Sequence, residues 1–540
     1  MTSRSHPSAI LRSASLGGSD IGRCLTRIHH DRFTPAVPVV DEVRDRAMSK
    51  GVDYEAHVLA ELVEARTDVV RVEVRGEPGR LATLEALERG APLILGARLE
   101  SDDRSLVGLP DILIRLGDGY AAVDVKNHKV IGENGPEGTA TPLSSLEAID
   151  GDPVRFRSFR RRDLLQVAHY WHLLEAAGYS TAAPLGGVIG TDQTTVCVWV
   201  DLTQGDPPIA EECRTYVASA LAAITHGRDR PDTPYVSPWM RGECRSCDWN
   251  ATCMAELVAA DDPTLLRDVD AEVRASLRTT GISTIADIAD LDPGDERIPG
   301  DGTVFQARAR TTGRLLRSDR AGGAIDLPSP RIEVDFDIET FGGRTYLAGL
   351  LVTEFGETTY EPICDWGASD AGERSLLEAL FARFGAWAHD DVVVFHWTDY
   401  EQRILSAAAA AHGLDIPGYG TVDDWFADVA VDLCAWSRHH LVSPDGFSLK
   451  TIAPLCGFSW RDRDPGGLQS EIWFERLGAG ETDMRDRLLA YNEDDVLAQL
   501  AVRRWIRRHD GGRGPGSGLP SVRDWPLTLD SLTSDLGRPG

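Results

Sequence analysis

The sequence predicts an α/β protein of two globular units joined by a small helical connector, and three observations carry that reading. At 540 residues the chain is too long for one hydrophobic core. Strand-like and helix-like segments alternate in two separate stretches, about 10–258 and about 330–508, the pattern of α/β domains. Between them DDPTLLRDVDAEVRASLRTTGISTIADIADL (261–291) reads as two short helices around a Gly-Ile turn, followed by the Gly- and Asp-rich LDPGDERIPGDG. The expected division is 1–260, 261–328, 329–510 and a tail, 511–540, whose Gly, Pro and Ser content predicts flexibility. The apolar patch DWPLTL in that tail is a candidate to dock back on the body. There is no internal repeat and no heptad pattern.

Apolar residues make up 42% and charged residues 26%, as in ordinary globular proteins. No run approaches the ~18 apolar residues of a membrane span. The opening MTSRSHPSAILRSASLGG lacks the apolar core of a signal peptide, so a cytoplasmic location without a membrane partner is expected. A formal net charge of −29 argues against non-specific coating of nucleic acid by a cationic surface. It leaves room for a nuclease, because carboxylates gathered around divalent metals add negative charge that the metals locally reverse. Any nucleic-acid path would be a local arginine stripe. RFRSFRRRD (155–163) is the densest one, and it reads equally as the solvated start of a helix. Lysine occurs only at Lys50, Lys126, Lys129 and Lys450 in a chain rich in arginine. That scarcity draws attention to Lys126 and Lys450, where a compact ammonium can do what a guanidinium does not.

In the second unit IEVDFDIET (332–340) alternates like a strand and sets Asp337 and Glu339 two apart, on one face. Adjacent carboxylates raise each other's pKa unless a cation lies between them, and a divalent metal is the simplest such cation. FGGRTYLAGLLV and GETTYEPI follow as the next strands of a meander. VVVFHWTDYEQRIL (392–405) is a buried strand running into a helix, with His396, Asp399 and Glu401 at the strand end, a usual place for active groups on α/β sheets. LLAYNEDDVLAQLAVRRW (488–505) is an amphipathic helix on which Tyr491 and Asp495, four apart, share a face that Asp494 leaves.

FDIET, HWTDYE and YNEDDV, in this order, resemble the three motifs of the DEDD exonuclease superfamily in its tyrosine variant. The resemblance implies an RNase H-like 3′→5′ exonuclease domain. Asp337, Glu339 and Asp495 would bind two Mg2+ or Mn2+ ions, and Tyr491 would orient the attacking water. The second motif departs from the family: Glu401 stands where aspartate is usual, with Asp399 as its competitor. VDLCAW and SLKTIAPLCGF resemble the same domain in YprB-like proteins, where Asp432 and Lys450 would shape the site.

In the first unit GLPDILIRLGDGYAAVDVKNHK (108–129) reads as a hairpin, with Asp111 on its first strand and Asp124 and Lys126 sharing a face of its second. Two carboxylates and a lysine converging in this way form a compact phosphodiesterase set. The acids hold Mg2+ or Mn2+, and the lysine positions water or stabilises developing charge. RRDLLQVAHYWHLLEAAG (161–178) is an amphipathic helix with Gln166 and Tyr170 on one face. This looks like the restriction-endonuclease-like PD-(D/E)xK nuclease fold of the RecB branch. The branch's upstream Gly-x-x-x-His turn is altered: KGVDYEAHVLAEL has Glu55 at the histidine register after Gly51, with His57 two residues later. Glu55 is the favoured fourth ligand. Some relatives keep the fold only as a binding module, but the intact Asp111, Asp124 and Lys126 favour activity.

Six of nine cysteines are scattered, and three cluster in CRSCDWNATC. Clustered cysteines in a reducing compartment more often bind metal than form disulfides. RecB-like nucleases often close their domain with an iron–sulfur clasp. The resemblance assigns Cys24, Cys244, Cys247 and Cys253 to a 4Fe–4S cluster, and four thiolates suit Zn2+ equally. The connector's LRTTGISTIADIADL has a helix-hairpin-helix pattern, read either as a phosphate cradle or as a packed joint.

The whole resembles a bacterial family of RecB-like putative nucleases. Expected is a dual nuclease on single-stranded or end DNA, in repair, recombination or defence. No Walker loop is present, so unwinding would fall to a separate helicase. The alternative is an RNA-processing exonuclease with a non-catalytic, iron–sulfur-stabilised N-terminal module.

Overall fold

The computed structural model describes residues 15–35, 42–192, 195–318, 327–367, 369–388, 390–463, 466–510, 519 and 522. The chain divides into two compact units, 1–238 with 242–253, and 239–241 with 254–540. The helical segment expected as a connector therefore shares a compact unit with the C-terminal α/β fold.

The N-terminal unit is built on eight strands. They are β1 (Val69–Arg71), β2 (Leu93–Leu95), β3 (Ile112–Leu116), β4 (Gly119–Val125), β5 (Ile131–Pro142), β6 (Asp152–Phe156), β7 (Leu185–Ile189) and β8 (Val196–Asp201). Their order in one mixed sheet is β1-β2-β3-β4-β7-β8-β5-β6. The expected hairpin is β3–β4, with Ile112 opposite Val123. β4 runs parallel to β7, and parallel neighbours need a long crossover, which includes the helix Arg161–Ala177. The two-residue period of the strands sorts the core. Ile112, Ile114, Val123 and Val125 pack with Val58 and Leu62 of the helix Glu42–Ala65, whereas Leu113 and Ala122 pack with Leu164 and Val167 of Arg161–Ala177. Asp124 and Lys126 inherit the parity of Ala122, which turns them toward Arg161–Ala177.

In the C-terminal unit the helices Ala271–Thr279, Ile285–Ala289 and Asp301–Thr312 enclose a small cluster that includes Leu277, Ile282, Ile285, Ile288 and Val304. At the Gly-Ile turn Asp287 accepts from the Ser283 and Thr284 amides, both at 2.9 Å, and Asp261 accepts from Ala286, also at 2.9 Å. With two carboxylates capping those amides, the turn is a packed joint and offers no phosphate cradle. Of the tail, only Leu519 and Val522 are among the described residues; DWPLTL lies outside them. Val522 is fully buried, and its carbonyl accepts from Arg308 at 2.6 Å.

A five-stranded sheet follows: β9 (Ile332–Phe341), β10 (Arg344–Glu354), β11 (Glu357–Cys364), β12 (Val392–His396) and β13 (Ala430–Asp432), in the order β11-β10-β9-β12-β13. The first three form the expected antiparallel meander, and β12 and β13 continue it in parallel. Phe336, Leu377, Phe384 and Trp425 fill one side, with Phe384 stacked on Trp425 at 3.8 Å. The long helix α1 (Met484–Asp510) crosses the other side of β9. Among the described residues, no helix is long and apolar enough to cross a membrane.

Candidate active site

β9 carries four acids at alternate positions, Glu333, Asp335, Asp337 and Glu339, so all four face α1. Burying four carboxylates in a row is costly unless each finds a partner. Helical spacing on α1 supplies partners unequally. Asp335 is fully buried and takes a two-pronged bond from Arg503, at 2.8 and 2.6 Å. Glu333 takes the remaining arm of Arg503 at 2.5 Å and Arg507 at 2.6 Å. One turn back, Gln499 donates to the Phe336 carbonyl at 3.1 Å. A further turn back, the helix presents Asp495, a third acid, to the second pair of strand acids.

Asp337, Glu339 and Asp495 thus gather with one carboxylate oxygen each lying within 4.8 Å of the others. Burial and the charges of Asp495, Glu339 and Glu401 push the Asp337 carboxyl well above the carboxylate range. Burial and Asp495 push Glu339 up to about 8. Neutral donors hold the acids in place: Asn492 gives a bond to Asp337 at 2.9 Å, and Ser470 gives one to Glu339 at 2.7 Å. Trp460 donates to Asp495 Oδ1 at 2.6 Å, and Lys450 pairs with the same oxygen. The Lys450 ammonium also lies over the rings of Trp460 and Tyr491, at 4.3 and 4.6 Å. One ammonium does not balance this many buried carboxylates, and an all-oxygen donor set of this kind fits Mg2+ or Mn2+.

Asn492 is in turn fixed by the Tyr360 hydroxyl at 2.8 Å. It reaches Asp337 only because residue 349, opposite Asp337 on β10, is glycine. A Cβ there would stand 1.7 Å from Asn492 Oδ1. Gly349→Ala is expected to displace Asn492, cost ~1–3 kcal/mol of stability and slow any reaction at this site. Melting and rate measurements check this; no change in either would show that Asn492 does not hold Asp337.

The remaining C-terminal residues behave differently from one another. Burial, with the charges of Glu339, Asp495 and Asp337 beside it, raises the Tyr491 hydroxyl far above an ordinary phenol. Asp494 leaves the face as expected and pairs with Arg461 at 2.8 Å. Glu401 lies outside the tight gathering of three acids. It is nonetheless buried, its Oε2 has no hydrogen-bond partner, and its charge reaches Asp337. Burial raises its pKa against the pull of His396, 3.6 Å away. Asp399 is exposed at a helix start. Asp432 accepts from the Thr398 amide at 3.2 Å and caps the helix Leu433–His440. It thereby steadies a turn in which Thr398 has φ +77°, a conformation that β-branched residues adopt only under constraint.

In the N-terminal unit the expected residues lie near one another, but among the described residues their acids do not gather as tightly as Asp337, Glu339 and Asp495 do. Asp111 lies one residue before β3 and Lys126 one after β4, so both sit on strand ends and not within the strands. Asp111 accepts from the Val125 amide at 2.7 Å. Burial, then Asp124 and Glu55, push its carboxyl well above the usual range. Burial raises Asp124 too, despite its ion pair with Lys126. Burial and the charge of Asp124 raise the pKa of Glu55. His57 is exposed. Lys126 reaches Gln166 at 3.0 Å, and Gln166 donates to the Tyr170 hydroxyl at 2.7 Å. Burial works against the Lys126 charge, but Asp124, Asp163 and Asp111 outweigh it and raise its pKa. Sequence reasoning missed two parts of this set. Asp163 bonds His128 at 2.7 Å beside Lys126, and Gly18 leaves room for Tyr170, whose hydroxyl would stand 2.5 Å from a Cβ at that position.

Cys24 is the N-cap of the helix Leu25–Phe33, Cys244 and Cys247 lie in the turn Gly242–Ser246 and just after it, and Cys253 is in the helix Asn250–Ala259. All four are half-buried. The cysteine-rich segment closes onto that first helix: Trp249 donates to Asp31 at 2.8 Å and stacks on His30 at 5.0 Å, and Asp248 lies 3.5 Å from Arg27.

A meander continued by two parallel strands, with acids on its first strand facing an acid on its last helix, defines an RNase H-like domain. Residues 334–507 match the RNase_H superfamily. Domains of that class act on nucleic acid and usually use divalent metals such as Mg2+, which fits the acids gathered on β9 and α1. Comparison with curated proteins gives no match for the chain.

Proposed function

We propose that this chain is a metal-dependent nuclease. Its C-terminal unit removes nucleotides 3′→5′ from single-stranded or end DNA, and its N-terminal unit holds a second, RecB-like centre, in repair, recombination or defence. The observation that carries this reading is the unequal neutralisation of β9. Two of its acids are locked to arginines, while Asp337 and Glu339 face a third acid, Asp495. Only the second arrangement calls for a divalent cation.

Asp337, Glu339 and Asp495 would hold the metals, with Glu401 at the margin. When bound, the metals supply an activated water and stabilise the leaving oxygen. Tyr491 keeps its proton at working pH, because burial opposes its ionisation. It therefore orients water as a hydrogen-bond donor and does not act as the base. Lys450 sets a positive charge beside Asp495, where a phosphate would enter. In the N-terminal unit Glu55, Asp111 and Asp124 would hold a metal, and Lys126, steadied by Gln166 and Tyr170, would position water. Cys24, Cys244, Cys247 and Cys253 would hold a 4Fe–4S cluster that ties the first helix to the end of that unit, with Zn2+ as the alternative; a brown protein decides for iron–sulfur.

A polarity assay on end-labelled single strands tests the reading, with DNA and RNA of one sequence run in parallel. The variant Asp337→Ala with Asp495→Ala is expected to lose shortening from the 3′ end. Lys126→Ala is expected to keep that shortening and to lose the cleavage that remains in the first variant. Undiminished 3′→5′ digestion in the first variant overturns the exonuclease assignment. Unaltered residual cleavage in Lys126→Ala makes the N-terminal unit a binding module. Preferential digestion of RNA moves the substrate from DNA to RNA.

A further inference from the structure

The arginine stripe in the N-terminal unit is not uniform. Arg155 is paired with Glu137 at 2.7 Å, and Arg161 with Glu212 at 2.5 Å. Arg162 is committed to the carbonyls of Ile21 and Ser19, at 3.0 and 2.5 Å. Of the three arginines of the stripe with no carboxylate partner among the described residues, the other two are Arg157 and Arg160. Both lie over the ring of Phe159, at 5.6 and 5.2 Å. Phe159 is 70% exposed, in the one-turn helix Ser158–Arg160 between β6 and Arg161–Ala177. Its neighbour on the edge strand, Phe156, is fully buried, so the core claims one aromatic of the pair and leaves the other in solvent.

This turn is tied to the candidate N-terminal site by successive bonds. The Arg157 amide donates to the Val130 carbonyl at 2.8 Å, and its side chain donates to Ile131 at 2.7 Å. Three and six residues beyond Arg160, Asp163 holds His128 at 2.7 Å and Gln166 holds Lys126 at 3.0 Å. Phe159 and its two arginines therefore border the segment 126–131 that carries the lysine. In a chain of net charge −29, an exposed aromatic flanked by two guanidinium groups that no carboxylate neutralises is a local exception.

We propose that Phe159, with Arg157 and Arg160, is a stacking platform for a base of a single-stranded nucleic acid approaching the N-terminal site. The ring takes the base face, and the guanidinium groups take the adjoining phosphates. Aromatic rings accept any base in this way, whereas duplex bases are stacked on each other and do not present a free face. The proposal rests on the reading that the chain acts on nucleic acid, and not on either centre being catalytic.

The test measures binding, not cleavage. It uses the full chain with Asp124→Asn and Asp337→Asn, so that single strands survive in the presence of metal. Anisotropy of labelled DNA and RNA single strands reports affinity, and a 2-aminopurine base near the strand end reports stacking. Adding Phe159→Ala is expected to weaken single-strand binding roughly 5- to 100-fold, to abolish the 2-aminopurine quenching and to leave duplex binding unchanged. Phe159→Trp is expected to restore both, which a merely structural defect would not allow. Arg160→Gln is expected to lower the slope of log affinity against log salt by about 0.7. Unchanged single-strand affinity in Phe159→Ala overturns the platform alone. Absence of any binding in the starting chain overturns the platform together with the reading beneath it.

Discussion

A chain carrying Asp337→Asn is expected to lose 3′→5′ digestion by on the order of 10³-fold, while its metal-free form becomes more stable. The first effect follows because an amide binds a divalent cation far less well than a carboxylate, and the lost charge stabilisation is worth several kcal/mol of barrier. The second follows from the crowding of acids. Asp337 is forced well above the carboxylate range by burial, Asp495, Glu339 and Glu401, so its charged form strains the metal-free fold. Asparagine keeps the shape and can still accept from Asn492. A gain of about 1 kcal/mol would raise the midpoint by roughly 2–4 °C in a unit of this size.

The same crowding fixes a pH dependence. Glu339 has a folded value of about 8, against 4.5 in its ordinary state. Between those values the folded protein keeps a proton that the unfolded chain has lost. Stability of the metal-free protein is therefore expected to fall as pH rises through that window and to level off above it. Thermal unfolding with chelator and with Mn2+, across that window, checks both statements. Stability that climbs with pH in chelator, or an Asp337→Asn chain no more stable than wild type, would show that the acids are not mutually strained.

Arg503→Met is expected to destabilise the C-terminal unit by about 3–5 kcal/mol, without touching a proposed metal ligand. Arg503 is fully buried and holds Asp335, also fully buried, by two bonds. Removing the guanidinium leaves that carboxylate charged and unpaired in the core. Glu333 keeps Arg507, so most of the cost falls on Asp335. Asp335→Leu added to Arg503→Met should recover much of the loss, because an apolar pair of similar volume replaces a broken ion pair. Denaturant melts of the single and double variants read this out. A single variant within 1 kcal/mol of wild type would contradict the picture of β9 as a strand whose first two acids are structural.

The core of the C-terminal site was legible because it depends on local periods. A two-residue period puts Asp337 and Glu339 on one face, and a four-residue step puts Tyr491 and Asp495 on another. The same periods extend to Glu333 and Asp335 on the strand and to Gln499 and Arg503 on the helix, an extension that the motif alone does not contain. Without it, the strand looks like two acids awaiting a metal, whereas it holds four acids and a division of labour. Glu401 was harder, since its place depends on a turn at Thr398 that Asp432 secures from a later strand. In the N-terminal unit the Asp-x-Lys pair and the Gln-x-x-x-Tyr helix were legible by the same local periods. The contacts of Asp163 with His128 and of Gly18 with Tyr170 were not, because they join segments distant in sequence.

By itself, then, the sequence determined the alternation of elements, the two units of α/β character, and the faces on which most of the candidate acids, the lysine and the tyrosines lie. Those follow from backbone geometry, which repeats over a few residues. Only the tertiary structure decided which acids are neutralised and which remain. Whether a carboxylate on β9 meets Arg503 or Asp495 is set by the way α1 lies across a strand more than 150 residues earlier. That register comes from packing, and no local pattern encodes it.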